Sequence, residues 1–295
     1  MASQAVGKPS ALAGTWGEMI AEFFGTMVLI LFGDGCVATF ALFTRLGGVP
    51  TPFANEWIVI ILGWGLAVML GIYVAGAISG AHINPAVTLA MAATGRLPWS
   101  KVIPYWVAQI LGAFVAALIL FYVYQGAISN ALGGAALSAS NVSQVGGVFY
   151  TSPKSFVGTF GAFGDEFIGT ALLLGLILAI VDGRNQPVQA NLNPLIIGFL
   201  IVAIGASFGL NTGYAINPAR DFGPRLWMAI AGGGTGALNS YTWIPIVAPL
   251  AGGVVGAFIY DYTVGKVLQA RHLEKSGTAE TKGEAVREPS PETAD

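Results

Sequence analysis

The sequence predicts an all-α, membrane-embedded bundle of two repeated halves, each with three spans and one half-span. Three observations carry this. Long apolar runs are almost empty of charge, two Asn-Pro pairs each open an apolar segment too short to span, and both motifs recur in the same order. The chain has 295 residues, of which 55% are hydrophobic and 9% charged. A soluble domain carries about 25% charged residues. Mean hydropathy is +0.70. That composition excludes a soluble enzyme and a basic nucleic-acid binder.

The charges are unevenly placed. Eleven of them lie in 266–295, whereas 57–95, 102–153, 185–219 and 226–260 contain no Asp, Glu, Lys or Arg. Roughly 20 apolar residues cross a bilayer as a helix. Six spans are therefore expected near 17–41, 57–78, 101–124, 163–181, 193–210 and 243–264. The first also carries Glu18, Glu22 and Asp34, and no signal-peptide layout precedes it, so it reads as a retained helix. The remaining apolar pieces, 85–95 and 218–230, begin at Asn84-Pro85 and Asn217-Pro218. Asn caps helix starts, and Pro suits the first helical position because its missing N–H would be unpaired there anyway. Each piece reads as a half-helix, tolerated at membrane depth only inside protein or along a wet cavity.

The halves repeat. Ala-Glu-Phe-Phe-Gly-Thr at 21–26 matches Asp-Glu-Phe-Ile-Gly-Thr at 165–170, and Ile-Asn-Pro-Ala recurs at 83–86 and 216–219. Gly76 and Gly80 precede Asn84 by eight and four residues, as Gly209 and Gly213 precede Asn217. Three spans per half is an odd number, so the second half is inverted in the membrane, a layout of pores and transporters. With both termini in the cytoplasm, Lys8, Arg96, Lys101, Arg184, Lys266, Arg271, Lys275, Lys282 and Arg287 lie inside. Arg45, Lys154 and Arg225 then lie outside, a bias that favours this orientation. The chain divides into an N-terminal segment 1–15, a channel domain 16–265 (repeats about 16–125 and 160–265), and a disordered tail 266–295.

One cysteine, Cys36, excludes an intrachain disulfide, and two histidines, His82 and His272, are too few and too separated for a metal site. Arg220 is the costliest residue to keep in a membrane, hence a functional candidate. Two half-helix N-termini that face each other put partial positive charge and free N–H donors at one point. Asn84 and Asn217 add amide donors there, which bind neutral hydroxyls and repel cations. Glu22 and Glu166 occupy matching repeat positions and need donors; the loop N–H groups before each half-helix are candidates. His82 either lines a mouth or packs beside it.

Ser-Gly-Ala-His-Ile-Asn-Pro-Ala-Val-Thr at 79–88 and Gly-Tyr-Ala-Ile-Asn-Pro-Ala-Arg-Asp-Phe-Gly-Pro-Arg at 213–225 resemble the two signature loops of the aquaporin family. Asp221 after Arg220 resembles its glycerol-conducting branch, the aquaglyceroporins. The resemblance covers about 15–265. It implies an aquaporin-like right-handed bundle of six transmembrane helices and two re-entrant half-helices. It further implies a passive channel for glycerol, water and other small neutral solutes, with urea and small polyols as candidates, that excludes ions and protons. The motif residues would be Asn84, Pro85, Ala86, Asn217, Pro218 and Ala219, and the filter Trp64, Gly205, Tyr214 and Arg220. In that filter two aromatics face the arginine across a slot whose width comes from Gly205. Tyr214 departs from the phenylalanine of the bacterial glycerol facilitator. Backbone carbonyls of Gly80, Ala81, His82, Thr212, Gly213, Tyr214 and Ala215 would line the path, and Glu22, Glu166 and Asp221 would brace the loops. The same resemblance implies a homotetramer in a plasma or bacterial inner membrane, with no enzyme activity, cofactor or metal. A secondary transporter shares the inverted repeat, but no coupling residue besides the paired glutamates stands out. A serine hydrolase on Ser79 and His82 lacks a third group.

Overall fold

The computed structural model describes residues 10–43 and 56–272, apart from the side chain of Phe43. These residues form helices and connecting loops, with no strand among them. The long helices of the first half are α1 (Thr15–Phe43), α2 (Trp57–Ser79) and α4 (Val102–Val123), with the half-helix α3 (Pro85–Ala93) between the last two. A short α5 (Gln125–Ala131) leads into a long connection containing only single 3-10 turns. The second half holds α6 (Thr159–Val181), α7 (Asn193–Phe208), the half-helix α8 (Pro218–Met228), the short α9 (Gly234–Ala237) and α10 (Ile244–Tyr262).

Among the described residues five helices are long and apolar enough to cross a membrane; the expected span at 193–210 is a 16-residue helix instead. At 1.5 Å per residue α7 covers about 24 Å, short of the ~30 Å hydrocarbon core. Gly209 closes it, and residues 209–213 turn directly into the loop before α8. At the other end of the chain, helix resumes after Thr263 and runs to His272, beyond residue 265. The rest of the tail, with Lys275, Lys282, Arg287, Pro289 and Pro291, lies outside the described residues, as do Lys8 and Arg45.

Packing follows the repeat. In the first half α1 lies against α2 and α4, and in the second α6 lies against α7 and α10. Each half-helix packs on the last span of the opposite half, α3 on α10 and α8 on α4. Absent side chains permit these approaches. A Cβ on Gly112 of α4 would strike the Phe23 carbonyl of α1; one on Gly252 of α10 would strike the carbonyl of Phe167, the repeat equivalent of Phe23, on α6. Where α2 crosses α7, Gly65 and Gly198 face each other, and a Cβ on either would lie 2.8 or 2.7 Å from the other's carbonyl oxygen. Both chain ends described, α1's start and α10's end, lie on one side of the bundle. There Lys101 pairs with Glu18 at 2.7 Å and Arg96 with Asp261 at 2.6 Å.

Candidate pore and its constriction

The two loops before α3 and α8 are built alike. Gly80 and Gly213 have φ of 84° and 97°, and Ala81, Ile83, Tyr214 and Ile216 have φ between 41° and 49°. Left-handed non-glycine residues cost roughly 1–3 kcal/mol each and persist only where surroundings hold them. Glu22 and Glu166 supply that hold. Glu22 accepts the His82 and Ile83 N–H groups at 2.8 and 2.6 Å, with the Ser79 hydroxyl at 2.5 Å and Gln109 Nε2 at 2.8 Å. Glu166 accepts the Ala215 and Ile216 N–H groups at 2.9 and 2.8 Å and the Thr212 hydroxyl at 2.7 Å. Both glutamates are fully buried.

The loops meet at the two asparagines. Asn84 Oδ1 caps α3 through the Ala86 N–H, and Asn217 Oδ1 caps α8 through those of Ala219 and Arg220. Each Nδ2 also donates across to the other loop: Asn84 to the Ile216 carbonyl at 2.8 Å, Asn217 to the Ile83 carbonyl at 2.9 Å. One N–H of each amide is thus spent on joining the halves, and one remains for the lumen. Pro85 and Pro218 take the first helical positions, with Ala86 and Ala219 fully buried behind them.

A cavity of about 200 Å³ runs beside this junction. Trp64, Tyr214 and Arg220 bound one end, His82, Met91 and Val181 the other, with Asn84 and Asn217 between. Gly80, Ala81, His82, Tyr214 and Ala215 line it as expected positions, joined by Ile83 and Ile216. Thr212 does not. Its carbonyl accepts the Ser152 N–H at 3.2 Å, so it ties the long connection to the α7–α8 loop, while its hydroxyl serves Asp165 and Glu166. His82 both lines the cavity and packs, its ring edge-on to Tyr105 at 5.3 Å. His82 Nδ1 lies 3.2 Å from the Thr88 hydroxyl, which also lies 3.1 Å from the Asn84 carbonyl.

The Arg220 end departs from a slot with rings opposite a guanidinium. Arg220 lies flat on Trp64, Cζ 4.0 Å from the ring centroid, so nothing passes between those two planes. The cavity lies beside the stack, on the side it shares with Tyr214. Gly205 leaves no open width either: a Cβ there would lie 2.6 Å from Tyr214 Cζ and 2.9 Å from Ile61 Cγ2. The space of its missing side chain is where the Tyr214 ring rests. Gly205 thus makes room for the Tyr214 ring. Asp221 braces a different segment from the one expected. Its Oδ2 accepts the Thr151 N–H at 2.8 Å and hydroxyl at 2.6 Å, and its Oδ1 accepts Arg225 Nε at 2.7 Å. Arg225, expected as an outside loop charge, is fully buried. It also donates to the Ala237 and Thr151 carbonyls, and its Cζ stacks 4.1 Å from the Tyr150 ring.

Two inverted sets of spans, each with a half-helix aimed at a common capped junction beside a continuous cavity, define a polytopic membrane protein with a central conduit. The major intrinsic protein model matches residues 10–260, and the chain belongs to that family. It is 46% identical over 246 residues to a probable glycerol uptake facilitator protein of Thermotoga maritima, which covers 82% of this chain and 97% of that one. It is 42% identical over 270 residues to aquaporin-9 of Homo sapiens, covering 90% of this chain and 87% of the relative. The X-ray structure of the aquaglyceroporin from Plasmodium falciparum superposes with a TM-score of 0.76 at 34% identity, over 87% of this chain and all of that one.

Proposed function

We propose that this protein is a passive channel for glycerol, water and other small neutral solutes, with urea and small polyols among them, and that ions and protons are excluded. The observation that carries it is the cavity itself. One wall is apolar (Leu29, Val68, Leu173, Ile177, Ile201), and the other holds the loop residues 80–84 and 214–217. A polyol fits such a wall pair with its carbon chain on one side and its hydroxyls on the other. The half-helix N-termini at Asn84 and Asn217 repel cations along the same path. The relatives named as aquaglyceroporins and glycerol uptake facilitator support the same solute class.

Trp64, Tyr214 and Arg220 form the constriction in this reading, with Gly205 behind Tyr214. The motif residues 84–86 and 217–219 form the junction, and Glu22, Glu166 and Asp221 are braces. Residues 16–265 are the channel domain. Arg96, Lys101, Arg184, Lys266 and Arg271 share the side of the two chain ends, which favours both termini in the cytoplasm. No cofactor, metal or catalytic residue has a role, and the assembly is a homotetramer in a plasma or inner membrane. Stopped-flow shrinkage and reswelling of proteoliposomes tests the reading. Glycerol should re-enter along its gradient with flux linear in concentration and indifferent to protonophores. Uphill accumulation of glycerol, or reswelling no faster than in empty vesicles, would overturn it.

A further inference from the structure

Asp34 stands in the middle of an apolar span, is fully buried, and has no role in the account above. Its Oδ1 lies 3.4 Å from Arg220 Nη1, which also donates to the Phe149 carbonyl at 3.4 Å. Its Oδ2, buried as well, has no hydrogen-bond partner among the described residues. An ion pair with one long contact and one orphaned oxygen adds little stability; apolar residues of similar volume usually serve a core as well or better. The second half provides that comparison within the same chain. Aligning Glu22 with Glu166 puts Leu178 opposite Asp34, and aligning Asn84 with Asn217 puts Val87 opposite Arg220. Leu178 and Val87 lie in one apolar core cluster, 2% and 6% exposed. The fold accepts a leucine at this helix position, so the carboxylate answers to Arg220.

We propose that Asp34 is a positioning and specificity residue of the constriction: it holds Nη1 on the side away from the lumen and cancels the charge of Arg220. Arg220 makes no hydrogen bond through Nε or its other terminal nitrogen with the described residues, so those donors remain for solute hydroxyls. With Asp34 in place the constriction is a neutral pair that presents hydrogen-bond donors. Without it, the guanidinium keeps only the Phe149 carbonyl and the Trp64 face, leans into the path, and becomes an uncompensated cation in a low-dielectric passage. A wide polyol loses more than water, and anions gain a site.

The proposal rests on Arg220 forming the constriction, and the experiment separates the two. Glycerol permeability, water permeability and chloride leak are measured on full-length protein in proteoliposomes, normalised to assembled channel. The proteins are wild type, Asp34→Leu, Asp34→Asn, and the double variant Asp34→Leu with Arg220→Val. Asp34→Leu should lower the glycerol-to-water ratio about tenfold, the scale of one lost charged hydrogen bond, and should open a chloride leak. Asp34→Asn keeps an oxygen for Nη1, so its ratio should stay within about twofold of wild type while the leak appears. The double variant should lose solute discrimination without leaking chloride. Wild-type ranking in the double variant would overturn the constriction. A changed double variant beside an Asp34→Leu with wild-type ratio and no leak would overturn only the role of Asp34. Should Asp34→Leu fail to reach the membrane, Asp34→Asn decides: a chloride leak supports the proposal and its absence overturns it.

Discussion

The Arg220 end of the cavity and the opposite end are one backbone design carrying two chemistries. Shifted by the repeat, Trp64 falls on Ile197, Arg220 on Val87, Tyr214 on Ala81 and Gly205 on Ile72. All four counterparts line the cavity at its other end. Helix crossings, left-handed loop residues, glutamate braces and asparagine caps are common to both ends. The difference therefore lies in a few side chains. At one end a glycine admits a tyrosine ring and a tryptophan carries a guanidinium; at the other, three aliphatic residues and an alanine leave an apolar vestibule. A scaffold that tolerates either set leaves discrimination to be written in side chains, and it is written at one end only.

The largest effect should come from breaking the buried pair. Arg220→Val strands the Asp34 carboxylate, a loss of about 3–5 kcal/mol for an orphaned buried charge. Thermal unfolding in detergent should show that loss, and adding Asp34→Leu should restore most of it by recreating the Leu178 and Val87 arrangement. No rescue would mean that the two ends are not interchangeable scaffolds.

Next are the braces. An amide in place of a carboxylate turns an NH₂ toward loop N–H donors, so Glu22→Gln and Glu166→Gln should each cost about 2 kcal/mol. Similar losses in thermal unfolding uphold the common scaffold, whereas a loss at only one end would break the comparison at its root.

Gly205→Phe sharpens it. The new ring would contest the space of Tyr214 and Ile61, and overpacking of this kind costs about 1–3 kcal/mol. Glycerol flux should fall about tenfold with assembly intact, and adding Tyr214→Ala should restore much of it. Absence of rescue would show that Gly205 does not act through Tyr214.

The smallest effect belongs to the surface of the opposite end. The Arg184 side chain, at 2.7 Å, holds the Asp182 carboxyl well below the usual carboxylate range, helped by the Arg184 N–H and the Tyr260 hydroxyl. A lowered pKa in the folded state means stability that is complete above the ordinary value of 3.8 and lost as pH falls beneath it. Asp182→Asn should cost about 1 kcal/mol at pH 7, the upper end for surface pairs, since Arg184 is at the surface while the Asp182 side chain is 9% exposed, with the difference vanishing in strong acid. A larger loss at pH 7 would place this pair among the structural groups.

Much of the architecture was legible because the bilayer and the repeat are strict. Charge-free runs specify spans, Asn-Pro specifies capped half-helices, and matching acids at Glu22 and Glu166 specify donors to be satisfied in each half. The span expected at 193–210 ended early, at Phe208, where the chain turns at Gly209 toward the loop before α8. The sequence marked Asp34 as an acid in an apolar run, but spacing along a helix names a face and not the atom 186 residues away that meets it. Arg225 read as a loop charge because its three acceptors, on Asp221, Thr151 and Ala237, come together only when the long connection folds onto α8. Gly205 read as open width because an absent side chain says nothing of which neighbour moves in. Local pattern determines where helices begin, end and repeat, since backbone hydrogen bonds in lipid allow few alternatives. Which side chains share a space depends on contacts between distant segments, and those exist only once the two halves have closed on each other.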